Sequence, residues 1–251
     1  MFCFLSNPTE AVIILAKSRV RVRIQLADMV VQREVLKSVP YFLGLSPAEL
    51  DSISKFVFER MVERGEVILL EDEPAEALYF VISGAVKVFK VSAEGKEQIL
   101  SIVDPFESFN DAPIFDGGPN HISAEAMTPV VLYGIRKNDL EIILRDSPQI
   151  AMNATKVLAD RVRYLVSLVE DLSFKYVIGR VAKMLLEPTE NGKGSRPRLT
   201  QQDMAAIAGT AREVIGRSLK TLEGDGAIRL ERNRIVITDK KALKEIAGET
   251  V

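Results

Sequence analysis

The sequence predicts an α+β chain built from a β-roll or jelly-roll domain, a long dimerisation helix and a C-terminal winged helix-turn-helix. Three observations carry this. Between Gly65 and Arg136, short apolar runs alternate with turn clusters, the pattern of a sandwich or jelly roll. From Leu158 to Leu172, apolar residues recur at 4-3-4-3 spacing, a coiled-coil seam. After Leu199, two short helices flank a glycine and a hairpin follows, the order of a winged helix-turn-helix.

Composition narrows the function classes. With 251 residues, 47% of them hydrophobic, the chain can build one large core or two modest ones. The net charge is −2, yet 15 Lys/Arg face 10 Asp/Glu after Leu172. A basic end thus follows an acidic body, a pattern shared by DNA-binding tails and ordinary solvated surfaces. Cys3 stands alone, which excludes an intrachain disulfide, a cysteine-ligated iron–sulfur cluster and a structural zinc site within one chain. His121 is the single histidine, so no His-rich metal centre is possible. No apolar run reaches the roughly 18 residues of a membrane span. The apolar start of the chain precedes its basic residues, the wrong order for a secretory signal. A cytoplasmic protein is expected. No Gly-rich phosphate loop, metal-ligand cluster or Ser/His/Asp arrangement occurs, which argues against an enzyme.

Residues 1–28 are set apart as an N-terminal extension. Within it Arg19 to Ile24 alternate like a strand with a basic face, and Met29 offers an alternative start. A β-roll domain is expected over 29–146. Ser46, Pro47 and Glu49 spell a capping box, with Leu50, Ile53, Phe56 and Val57 as the stripe of the helix it opens. Strands are expected at 67–70, 78–84, 85–91, 97–103 and 130–135, with a hairpin loop at 93–96 and a turn at 116–120. Asn138 to Glu141 then cap a short helix.

Pro148 opens the long helix, assigned to 147–173. Its seam is Leu158, Val162, Leu165, Val169 and Leu172. Valine at a and leucine at d favour two parallel strands, hence a homodimer. The same stripe would also serve a helix packed on its own domain.

The DNA-binding domain is assigned to 174–251. An amphipathic helix at 174–186 and a polar loop at 187–197 lead to Thr200, an N-cap with Asp203 three residues on. A helix at 201–207 ends at Gly209. Thr210 and Glu213 repeat the capping-box spacing for the next helix. Ile215, Leu219 and Leu222 form its inward stripe, while Glu213, Gly216, Arg217 and Lys220 share the opposite face, with Arg212 at the flank. Arginine binds guanine bidentately and glutamate accepts from the cytosine amino group. Glu213 would equally serve as a cap, and the arginines as solvated charge. A hairpin over 227–237 carries Arg232 and Arg234 near its tip, placed for phosphates.

The stretch from Thr210 to Glu223 resembles the recognition-helix signature of the Crp/Fnr regulators, and 199–205 resembles the preceding helix. Upstream, 64–68 and 78–88 resemble that family's β-roll. The resemblance covers about residues 35–240, in order. It implies a cyclic-nucleotide-binding-type β-roll that senses a small effector, a dimer helix, and a winged helix-turn-helix. It implies that Arg212, Glu213 and Arg217 read bases while Thr200 contacts the backbone. The partners it implies are double-stranded DNA with a palindromic operator, half-sites about 34 Å apart, a second copy of the chain, and RNA polymerase if the protein activates. No membrane partner is expected.

For the effector, the family's Phe-Gly-Glu segment matches Phe109, Asn110 and Asp111, and its Arg-Ser pair matches Asn120 and His121. The positions that reach the base match Leu165 and Val166. Without a cation at the phosphate, cyclic AMP is disfavoured. The family's iron–sulfur branch is excluded by the single Cys3, and its haem branch would have to use His121. An apolar or redox-linked small molecule, or no ligand at all, is a fourth possibility for the pocket, and a cyclic-nucleotide-type module without specific DNA binding is the alternative function.

Overall fold

The computed structural model describes residues 10–13, 22–25, 33–186, 199–232 and 234–248. The predicted alternation over Arg19 to Ile24 falls in part on β2 (Val22–Gln25), which pairs antiparallel with β1 (Glu10–Ile13); residues 19–21 lie outside the described residues. Helix α1 (Arg33–Leu36), a 3-10 turn (Pro40–Phe42) and α2 (Pro47–Ser54) follow. The Ser46 capping box forms: its Oγ accepts from the Glu49 amide at 3.3 Å, and its own amide donates to the Glu49 carboxylate at 2.7 Å. The helix stops at Ser54, so Phe56 and Val57 leave the predicted stripe. Val57 instead opens β3 (Val57–Val62), paired with β10 (Val130–Arg136). The β-branched and aromatic run Phe56–Phe58 suits a pleated sheet better than a further helical turn.

Strands β4 (Val67–Leu69), β5 (Ala77–Ser83), β6 (Val86–Val91) and β7 (Glu97–Val103) fall where expected. Two short strands, β8 (Ser108–Phe109) and β9 (Ser123–Ala126), and helix α3 (Asp111–Asp116) were not foreseen. Two antiparallel four-stranded sheets result, in the orders β3-β10-β5-β8 and β4-β9-β6-β7. Val81, Phe109 and Leu132 from one sheet meet Val86, Val103 and Ala124 from the other in a shared core, the face-to-face packing of a jelly roll. Gly134 lies opposite Phe58 in the β3–β10 register, and a Cβ there would lie 2.2 Å from the Phe58 ring. The ring therefore lies over a bare backbone.

Helix α4 (Lys137–Asp146) starts after Arg136, without a side-chain cap, rather than at Asn138. Helix α5 (Pro148–Phe174) has Pro148 in its first turn and 27 residues, about 40 Å of rod. Tyr41, Leu50, Phe80, Ile135, Leu140 and Ile150 form a second core that fixes its start on the β-roll. Helix α6 (Val177–Leu186) begins only after the two-residue joint Lys175-Tyr176, so Phe174 ends α5 and does not open α6. Buried Asp171 braces the joint, accepting from Lys175 at 2.8 Å and from Lys183 of α6. The expected polar loop at 187–197 lies outside the described residues.

Helices α7 (Gln201–Ala208) and α8 (Arg212–Gly224), strands β11 (Ile228–Glu231) and β12 (Arg234–Ile237), and α9 (Lys240–Ala247) complete the chain. Val181, Met204, Ile215, Leu219, Leu222 and Leu243 share one core. This domain docks on the β-roll through Ala206 and Ile207 of α7 against Phe89, Ile99 and Ile102. Gln98 secures the contact by donating to the Ile207 carbonyl at 3.2 Å.

Candidate nucleic-acid interface and effector cavity

The short α7–α8 connection sets the exposed helix. Gly209 closes α7 in the left-handed conformation, φ +63°, which glycine adopts without steric cost. The Thr210 amide donates to the Ala205 carbonyl at 3.0 Å. Thr210 thereby completes the end of α7 and is not the cap of α8. Ala211 takes that place, with no side-chain cap bond. Glu213, expected to reach back across a capping box, is thus released from that role. Arg212, Glu213, Arg217 and Lys220 are all exposed, whereas Ile215, Leu219 and Leu222 are buried. Gly216, predicted on the outward face, is half-buried and approaches Gln201 of α7.

Thr200 does cap α7: its Oγ accepts from the Asp203 amide at 3.1 Å, and its amide donates to the Asp203 carboxylate at 2.8 Å. In the hairpin, Arg232 is exposed at the turn beside Asn233, which lies outside the described residues. Arg234 pairs with Glu231 at 2.5 Å, and Arg229 holds the same carboxylate at 2.7 Å. Those hydrogen bonds, from Arg234 first, keep Glu231 below the usual carboxylate range. The positive charge of the wing is therefore partly balanced by its own strand.

A cavity of about 630 Å³ lies between the β-roll, α5 and the winged-helix domain. Of the residues predicted to meet an effector, Phe109, Asn110, Asp111, His121 and Leu165 line it. Asn120 does not; it is buried, and its side-chain amide donates to the Leu70 carbonyl at 3.0 Å. The cavity takes Ile122 beside His121, one residue later than the predicted pair. Val166 is 62% exposed and lies off the cavity wall.

The structure adds a cation that the sequence did not disclose. Arg161 of α5 pairs with Asp111 at 2.5 Å and donates to the Ser108 carbonyl at 2.7 Å. Asp111 is almost fully buried and also accepts from Ser108 Oγ at 2.7 Å and from the Tyr41 hydroxyl. Burial, then the Asp111 charge, push the Tyr41 hydroxyl well above the ordinary phenol range, so it remains a donor. No sequence signal pairs residues 50 positions apart; Arg161 stood out only as a charge beside an apolar seam.

On that seam, Val162 and Val169 are 60% and 63% exposed, and Leu165 and Leu172 are also exposed. Leu158 is half-buried and, like Leu165, faces the cavity. Among the described residues, no helix is long and apolar enough to cross a membrane, and no group of three or more His, Cys, Asp or Glu forms a metal cluster.

A family model described as a cyclic nucleotide-binding domain matches residues 59–147, and one described as a Crp-like helix-turn-helix domain matches 179–246. The chain is 33% identical over 217 residues to the CRP-like cAMP-activated global transcriptional regulator of Mycobacterium tuberculosis, covering 84% of this chain and 97% of that one. It is 32% identical over 212 residues to the cyclic AMP receptor protein of Thermus thermophilus, covering 84% and 98%. A Crp/Fnr transcriptional regulator from Eubacterium rectale superposes with a TM-score of 0.70 at 26% identity, covering 85% of this chain and all of that one. With an exposed recognition-type helix, a β-roll and relatives that are transcription regulators rather than enzymes, this chain belongs to the Crp/Fnr family of DNA-binding transcription regulators.

Proposed function

We propose that the protein is a homodimeric, sequence-specific regulator whose β-roll (29–146) senses a small effector other than cyclic AMP. The helix over 147–173 joins two copies, and 174–251 reads a near-palindromic operator. One observation carries this reading: α8 presents Arg212, Glu213, Arg217 and Lys220 on an exposed face while its apolar stripe is buried. Glu213, released from capping, is available to accept from cytosine, and Arg212 and Arg217 to address guanine. Thr200 and Thr210, with Arg232 and Arg234 of the wing, are assigned to phosphates, which position the reader. The exposed valines of α5 support pairing through Leu158, Val162, Leu165, Val169 and Leu172.

By their names, the Mycobacterium tuberculosis relative is cAMP-activated and the Thermus thermophilus one is a cyclic AMP receptor. Here Arg161, the one Arg or Lys on the cavity wall among the described residues, is already engaged by Asp111. A cyclic phosphate would have to compete with a buried carboxylate for it. Effector binding is then expected to shift an equilibrium between domain arrangements through differential affinity.

Arg217→Ala tests the reading. Operator affinity is expected to fall by about 1–3 kcal/mol at one base position, with dimerisation unchanged. Equal loss on all sequences, measured by competition gel shift, would reduce Arg217 to a phosphate contact.

A second reading is favoured by the placement of His121 on the cavity wall. The cavity is largely apolar, and His121, an exposed side chain on its wall, would hold a haem there through the iron. Bound haem would supply gas ligation there, while this chain's residues would hold and shield it. A Soret band after expression with haem supports this, and its absence removes it.

A further inference from the structure

The cavity wall is shared by two domains. Ile99, Val103 and Ile122 come from the β-roll, Leu168 from α5, and Leu199 and Ile207 from the winged-helix domain. Ile207 also packs in the docking contact, and its carbonyl accepts from Gln98. A molecule in this space touches the DNA-binding domain directly and needs no relay along α5.

The wall also constrains the chemistry of that molecule. Among the described residues its carboxylates are Glu107, Asp111 and Asp160, and its one guanidinium is Arg161. Arg161 is paired with Asp111. Glu107 accepts from the Asp104 amide at 2.9 Å, and Asp160 pairs with Arg163. An anionic ligand would have to compete with buried Asp111 for Arg161. A cationic one would give up hydration for carboxylates that already have donors. The remaining wall is mostly aliphatic, in a space within the 300–1,000 Å³ range typical of small-molecule sites.

We infer that this cavity binds an uncharged, predominantly apolar small molecule that bridges the β-roll, α5 and the winged-helix domain, holding the two domains in their docked arrangement. The inference rests on the effector-controlled reading above and specifies its ligand class and its route to the DNA-binding domain.

The test uses the full-length protein and Nile red, a neutral apolar dye. Saturable binding of one dye per chain is expected, with its fluorescence enhanced and blue-shifted. Leu168→Trp, which fills the space from α5, and Ile207→Gln, which places an amide on the winged-helix wall, should each weaken binding about tenfold. Circular dichroism checks that each folds, and Ile122→Trp replaces either that does not. Excess cyclic AMP should leave the dye bound. Absence of saturable binding, unchanged affinity in the wall variants, or competitive displacement by cyclic AMP overturns the inference. Gel shifts on the same preparations separate the two claims. Sequence-selective DNA binding without saturable dye binding sinks the cavity ligand and leaves the regulator standing. Wall-dependent dye binding without selective DNA binding supports the cavity and overturns the reading beneath it.

Discussion

Gly209 concentrates several demands in one residue. It ends α7 at positive φ, and a Cβ there would meet Leu172 Cδ2 at 3.0 Å and Gln98 Oε1 at 3.1 Å. Alanine would therefore strain the backbone and press on both α5 and the β-roll. Gly209→Ala is expected to cost about 1–2 kcal/mol from conformation alone, read as a lower melting temperature, with more ready cleavage by protease at the domain boundary. The neighbouring threonines show what sequence could and could not disclose. Thr200 and Asp203 form the box that their spacing announces. Thr210 and Glu213 have a similar spacing, yet the Thr210 amide is taken by the preceding helix. A cap is local chemistry; which of two adjoining helices claims a linker residue is decided by their packing. Arg161 and Asp111 lay further out of reach, since only the tertiary fold brings α5 across β8.

At the scale of elements, α5 does two jobs with one stripe. Leu158 and Leu165 face the cavity, whereas Val162 and Val169 face outward. The heptad spacing was apparent in sequence, but its division between inside and outside depends on where the β-roll lies. Val169→Asp should place a charge in the proposed seam and convert the dimer to monomer, seen by sedimentation velocity. The joint after α5 responds to pH. Burial tends to raise the Asp171 pKa, but hydrogen bonds from Lys175 and Lys183 outweigh it and leave the carboxyl below its usual range. An acid with a depressed folded pKa stabilises the fold above its unfolded value, about 3.9, and that stability is lost as pH falls through the folded value. Asp171→Asn should lower the melting temperature near neutrality and flatten its decline below about pH 4. The short strands β8 and β9 escaped the sequence because neither offers enough residues, or enough alternation, to separate a strand from a loop.

For the whole molecule, order and type of domain were readable because each has its own periodicity: two for the roll, three and a half for the rod, capped turns for the reader. Their mutual placement was not, since it depends on one apolar contact, Phe89 and Ile99 against Ala206, and on Gln98. The joint between rod and reader spans only Lys175 and Tyr176, and Asp171 ties its two sides together. So short a link leaves the heads free to swivel a little but gives them no slack. Adding one base pair at the centre of an operator moves a half-site about 3.4 Å along the duplex and turns it around the axis as well. In the proposed dimer, two tethered heads could not follow that step without bending the DNA or releasing one side. Fluorescence anisotropy on lengthened operators should therefore show affinity collapsing toward that of a single half-site. Genuine targets of this protein are expected to keep one spacing while their sequences vary.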